Sequence, residues 1–208
     1  MNGPNDLIEI RKKYHHGDLR EHLLDAVRQL IEQYGPDGFS IAQACRHAGV
    51  STAAPYKHFK DRHEIMRHVA HQALERMRDG MQRAADAYPA GSPERIMALG
   101  NVYVTFAKTE PGMFVVMFSL TTDHAQDEDL MTSGKACFDI VIGVVADHMG
   151  LARQSPEVAA RAYALWCFVH GHSFLTLDGK ASKIQTPLDE TTIMALVGRA
   201  LVPDQIAV

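Results

Sequence analysis

Three observations predict an all-α fold for this chain of 208 residues. Apolar residues recur at helical spacing through nearly every segment, and Gly and Pro fall where that spacing stops. No two segments offer strands that could pair with one another. Hydrophobic residues make up 46% of the chain, an ordinary globular share that can fill one large domain or a small head with a larger body.

The elements follow in order. Residues 1–13 read as a mobile arm ending in Arg11-Lys12-Lys13. Asp18-x-x-Glu21 reads as a capping box for a helix whose buried face is Leu19, Leu23, Leu24, Val27, Leu30, Ile31 and Tyr34. Gly35-Pro36 stops it, because Gly accepts left-handed geometry and Pro cannot continue a helix. Ser40-x-x-Gln43 opens a short helix over 41–48, ended by Gly49, and Ser51 or Thr52 caps another over 52–59. From Asp61 to about Tyr88 runs a long helix with the stripe Ile65, Met66, Val69, Ala70, Ala73, Leu74, Met77 and Met81. Ser92-Pro93-Glu94 starts the next, with proline at the first helical position. Thr109-Glu110-Pro111-Gly112 breaks it, and "MFVVMFSL" is read as helix rather than strand for want of a partner. Helices over 127–149, 156–177 and 191–201 complete the chain, bounded by Gly150, by Ser155-Pro156-Glu157 and Asp178-Gly179, and by Asp189 and Pro203.

Charge and composition narrow the function classes. The formal net charge is −4, so the chain is not basic overall. Arg46, Lys57, Lys60 and Arg62 nevertheless face only Asp61 within residues 46–62, which suggests an anion-binding end on an acidic body. No apolar run approaches the ~18 residues of a membrane span, and the N-terminus lacks the apolar region of a secretory signal. Cys45, Cys137 and Cys167 are odd in number and sit in apolar helical patterns, so buried free thiols in a reducing cytoplasm are expected. There is no HExxH, Gly-rich phosphate loop, GxSxG or paired thiol motif, so neither enzyme activity nor a cofactor is expected. His68, His71 and Glu75, with Glu64, share one helix face that has the residue types of a zinc site. That face lies away from the apolar stripe, so it is read as solvated and no metal is assigned.

The stretch "HAGVSTAAPYKHFK" at 47–60 carries the sharpest signal. Two short helices joined by Gly49-Val50-Ser51 make a helix-turn-helix, with Cys45, Ala48 and Phe59 packed behind the turn. The outward face of the second helix is Thr52, Ala53, Tyr56, Lys57 and Lys60. Thr and Lys can bond base edges, Ala can meet a thymine methyl, and Tyr56 and Lys60 suit phosphate oxygens. With Ser40 and Ser51 these residues form the candidate DNA-binding set. Pro55 is tolerated if it lies in the first turn, where helix N–H groups lack internal partners.

Residues 14–75 resemble the DNA-binding domain of the TetR (tetracycline-repressor-like) family, on Gly35, Phe39, Ser40, Ala48-Gly49-Val50-Ser51, Tyr56, His58-Phe59 and Lys60. The family's phosphate-binding tyrosine and lysine map onto Tyr56 and Lys60, and its base readers onto Thr52, Ala53 and Lys57. "YHHGDLR" at 14–20 and "WCFVHGHSFLTLDG" at 166–179 resemble a subgroup with a late Trp-x-x-x-His-Gly segment. Cys45, Ala54-Pro55 and Arg62 depart from the usual pattern.

The resemblance implies an N-terminal DNA-binding domain over 14–60, then a helical body over 61–208 that dimerises and holds a small ligand. Ala160, Ala164, Cys167, Gly171 and Ser173 would let another helix approach closely, and with 191–201 they suggest a four-helix interface. Phe106, Phe114, Met117, Phe118, Phe138, Ile142, Trp166 and His170 are the candidate ligand-binding residues, since Met and Phe give adaptable apolar walls. The expected protein is a cytoplasmic homodimeric transcriptional regulator, most simply a repressor. A small, mostly hydrophobic effector would release it from a palindromic double-stranded DNA operator, and no membrane is involved. A helical adaptor that binds protein through the exposed hairpin is the rival reading, and salt-dependent binding to a short palindromic duplex separates the two.

Overall fold

A computed structural model describes residues 16–119, 127–184 and 189–203. The expected N-terminal arm lies outside the described residues. Among them there are eight α-helices: α1 His16–Tyr34, α2 Ile41–Ala48, α3 Arg62–Asp86, α4 Pro93–Thr109, α5 Pro111–Ser119, α6 Glu128–Met149, α7 Pro156–Leu177 and α8 Glu190–Leu201. Single 3-10 turns occupy Pro55–Lys57 and Ala181–Lys183. Among the described residues no strand is formed, and no helix is long and apolar enough to cross a membrane.

Local chemistry sets the boundaries. The capping box predicted at Ser40 is formed: Ser40 Oγ accepts the Gln43 N–H at 3.2 Å, and Gln43 Oε1 accepts the Ser40 N–H at 2.7 Å. Gly49 closes α2 with φ +70°, a conformation that side chains with a Cβ rarely adopt. Asp61 caps α3 and Asp189 caps α8 through the N–H groups of Glu64 and Thr192, both at 2.8 Å. Asp18 does not begin α1, which already starts at His16, so the capping box expected at Asp18-x-x-Glu21 falls inside the helix. Ser92 and Ser155 precede helices as expected, yet neither side chain makes a capping bond. Proline follows each and leaves one fewer amide to satisfy.

The α3 helix is the spine. At 25 residues it is about 37 Å long. It packs on α1 near its start and on α4, α5 and α6 beyond. Its predicted stripe is buried without exception, from Ile65 to Met81. The core is one continuous cluster running from Leu23 and Phe59 in the head to Val158 and Met194 in the body. "MFVVMF" is helical, and Met113, Phe114, Val116 and Met117 are all buried.

Candidate nucleic-acid interface and ligand cavity

The reading head is α1, α2 and the segment that leads into α3. Phe59, 2% exposed, is its keystone. The Arg20 guanidinium lies 5.3 Å above the Phe59 ring, and His68 meets the same ring edge-on at 5.4 Å. Arg20 also bonds His68 Nδ1 at 3.0 Å. His68 is therefore occupied with Arg20 and Phe59, and burial lowers its pKa first, with Arg20 adding to the effect. Among the described residues no group of His, Cys, Asp and Glu is arranged to hold a metal ion. Arg62 covers the Phe39 ring at 5.3 Å and donates to the Pro36 carbonyl, so it pins the 36–39 turn to α3.

The second helix expected over 52–59 is replaced by a turn and one 3-10 turn, Pro55–Lys57. The cause is Pro55. Without an N–H it cannot continue an i→i−4 ladder, and the Ser51 carbonyl takes the Ala54 N–H instead, at 3.0 Å. Lys57 N–H to Ala54 O, 3.3 Å, and His58 N–H to Pro55 O, 2.9 Å, keep the tighter spacing, and a single i→i−4 bond, Phe59 N–H to Pro55 O at 2.9 Å, closes the segment. Neither Ser51 nor Thr52 is a helix cap; Ala54 holds that position without a side-chain bond. Pro55 itself is buried against the head, and it turns its neighbours outward.

Ser51, Thr52, Ala53, Tyr56, Lys57 and Lys60 are all exposed, Tyr56 at 62%. Ser40 is exposed too, but its hydroxyl is engaged with Gln43 on both sides. Lys57 and Lys60 hold no ion pair with another described residue, and Arg46 is exposed one helix away. The start of α3 has few free amides to offer a phosphate. Asp61 takes the Glu64 amide and the Glu64 carboxylate takes the Lys60 amide at 2.5 Å. The Glu64 N–H bond holds the Asp61 carboxyl below its ordinary range.

The body holds a half-open cavity of about 490 Å³, within the range of small-molecule sites. Six helices line it: Met77 and Met81 of α3, Met97 and Tyr103 of α4, Met117 and Phe118 of α5, Phe138 and Val141 of α6, Trp166 and Phe168 of α7, and Met194 of α8. Of the expected residues, Met117, Phe118, Phe138 and Trp166 are in the wall. Phe114 is not; fully buried, it stacks edge-on with Tyr103 at 5.5 Å and Phe118 at 5.0 Å, behind the lining. Phe106 faces a separate groove between α3 and α4. Ile142 is turned past the edge of the α6 face that carries Phe138, Val141 and Val145, and only packs against the core. His170 lies one layer back, its Nδ1 2.8 Å from the Tyr103 hydroxyl.

Tyr103, Met77, Met81, Met97 and Met194 were missed as lining residues. Their helical spacing matches that of a solid core, and only the absence of a facing side chain separates the two. Of the three thiols, Cys45 and Cys137 are buried, and burial pushes the Cys137 pKa up to about 11. Cys167 is exposed, contrary to expectation, because it sits on the outer face of α7 with Ala160, Tyr163, Gly171 and Leu175. Ser173 is buried inside its own chain and does not join that face.

Two family models match the chain, "Bacterial regulatory proteins, tetR family" over residues 23–69 and "Tetracyclin repressor-like, C-terminal domain" over 96–198. The chain belongs to the TetR family. The regulator BetI of Escherichia coli O127:H6 is 33% identical over 76 residues, which span 36% of this chain and 39% of BetI. Among solved structures, a protein of unknown function from Rhodococcus sp. RHA1 is 26% identical, with TM-score 0.78 over 92% of this chain and 97% of that one. The regulator FadR of Bacillus subtilis, in complex with stearoyl-CoA, shares the fold at TM-score 0.69 and 12% identity, over 88% of this chain and 97% of FadR. For this TetR-family member, the matched N-terminal segment contains the whole exposed turn, and the C-terminal match spans most of the cavity wall.

Proposed function

We propose that the protein is a cytoplasmic, homodimeric DNA-binding transcriptional regulator, a repressor that leaves its operator when a small hydrophobic molecule fills the body. The observation that carries this reading is the pairing of an exposed Thr52–Lys60 edge with a body holding an apolar cavity, both built on α3. Tyr56 and Lys60 meet phosphates, while Thr52, Ala53 and Lys57 approach base edges. The outer faces of α7 and α8 support dimerisation, since Tyr163, Leu175 and Leu196 are 57%, 43% and 53% exposed. Gly171 has open space above it, which favours close approach of a second helix. A two-fold dimer sets its heads about one DNA turn, ~34–36 Å, apart or at a multiple of that distance.

A ligand acts by binding one arrangement of the heads better than another, and a coupling of ~1–3 kcal/mol is sufficient. The test is selection of bound duplexes from a random pool, followed by a screen for compounds that release them. Enrichment of a palindrome, and loss of binding on adding a compound, is the expected result. No enrichment over random DNA ends this reading and leaves the protein-binding adaptor.

A further inference from the structure

We propose that the cavity takes an uncharged, mainly apolar molecule carrying one hydroxyl, seated against the Tyr103 phenol where α4 meets α7. This rests on the ligand-responsive reading above and deepens it by assigning the ligand's chemistry.

Charge excludes the alternatives. Among the described residues Lys135 is the one cationic residue in the wall, and no acidic residue lines it. The Lys135 side chain is 73% exposed and its ammonium pairs with Asp139 at 2.7 Å, so it stands at the mouth already neutralised. Tyr103 and Cys137 stay protonated, because burial raises the pKa of both. A carboxylate drawn inside would lose its water and find no counter-charge, and an ammonium group would fare no better.

Hydrogen bonding then selects the polar group. The Tyr103 oxygen is 2.8 Å from His170 Nδ1 and accepts the Trp166 Nε1–H at 3.4 Å. We take the His170 tautomer with its proton on Nε2, so that the phenol O–H donates to Nδ1. Burial lowers the His170 pKa and so favours the neutral ring, which has one nitrogen free to accept such a bond. The rings around His170 are Tyr103, Phe114, Phe118, Trp166 and Phe174, none of them charged. With its proton given to His170 and one lone pair given to Trp166, the phenol keeps a second lone pair. An alcohol or phenol O–H satisfies it; an ether or ester does not. The methionines elsewhere in the wall adapt to the shape of the apolar part, so discrimination falls on this one polar point.

Trp166 is the chain's single tryptophan and lies in the wall, so its fluorescence reports occupancy. The full-length protein is titrated with n-decanol, decyl methyl ether and decanoate at neutral pH. The alcohol is expected to bind about five- to tenfold tighter than the ether, and decanoate more weakly than either. In Tyr103→Phe the alcohol falls to the affinity of the ether while the ether is unchanged, which also shows that the variant keeps a folded cavity. Decanoate binding as tightly as the alcohol, equal affinities for alcohol and ether, or an alcohol preference that survives Tyr103→Phe overturns the proposal and leaves the ligand cavity standing. Binding by none of the three ends both. Alcohol-selective binding without release of operator DNA supports the pocket chemistry and counts only against the regulatory reading.

Discussion

The Glu32 carboxylate accepts the backbone N–H of Met113 at 2.8 Å, fastening the start of α5 to the reading head. Its second oxygen takes the Gly112 N–H at 2.9 Å. These amides belong to a helix start, where donors lack internal partners and negative charge is favoured. Gly112 sits so close to α1 that a Cβ there would come within 2.7 Å of the Ile31 carbonyl. The other end of α5 carries Met117 and Phe118 into the cavity wall. Glu32→Ala is expected to cost roughly 1–3 kcal/mol of stability and to blunt DNA release, with ligand affinity nearly unchanged. Release titrations at fixed operator concentration check this, and full release by the variant would assign the coupling to α3 alone.

Tyr56→Phe should weaken binding to specific and random DNA by the same factor, since a phosphate contact carries no sequence information. Lys57→Ala should change which bases are preferred. If each head of a dimer makes roughly four phosphate contacts, log affinity falls with log salt at a slope of about −7. Fluorescence anisotropy on selected and scrambled duplexes over a salt series measures all three, and a slope near zero is incompatible with this interface.

On the outer face of α7, Gly171→Glu places a charge where, beyond the helix's own turn, no described residue stands within 4 Å of the new Cβ. The subunit fold is expected to survive, because glutamate suits a helix better than glycine. The dimer is expected to dissociate, read by sedimentation beside unchanged helical circular dichroism. Cys167, exposed in the single chain, should then react faster with a thiol reagent than in the parent protein.

Phe114 and Phe118 differ by one turn of α5 and should respond differently. Phe114→Ala removes a fully buried ring from the aromatic stack and is expected to cost about 3–5 kcal/mol. Phe118→Ala cuts into the cavity wall, costs less, and enlarges the site. Thermal melts with and without n-decanol distinguish them.

Acid should weaken the fold in two stages. Burial lowers the pKa of His68 and His170 below the usual 6.5. The unfolded chain therefore binds protons first, and the stability these rings contribute is complete above pH 6.5 and lost as pH falls through their folded values. Asp61 and Asp189 are lowered by the backbone N–H groups they cap, so their contribution is lost only below the usual 3.8. Melting temperature against pH should show the upper step, and His68→Gln with His170→Gln should flatten it.

Much of this was legible in the sequence. Helical periodicity and the Gly and Pro stops located the helices because those signals are local, and Ser40-x-x-Gln43 formed the capping box its spacing implies. The failure at 52–59 was also local. Proline in a first turn is permitted in an α-helix, so its presence did not reveal that the i→i−4 ladder would be given up. The cavity wall was harder to read. Phe114 and Phe118 are equally apolar and share one short helix, and only the packing of Tyr103, His170 and Phe174 decides which ring meets empty space.

The continuous core sets where this protein could be recombined with others. The head grips α3 as far as Gln72, which donates to Glu21 at 2.9 Å. The body first touches α3 at Arg67, which pairs with Asp127 at 3.0 Å, and is in firm hold by Leu74, whose carbonyl accepts the Cys137 thiol at 3.6 Å. A chimera joined just after Lys60 would carry a reading head stripped of about three helical turns of its own support. A splice between Gln72 and Leu74 keeps the head's hold on α3 but still has to preserve the Glu32 and Ile31 contacts to α5, so modularity here runs through the middle of a helix and not through a loop.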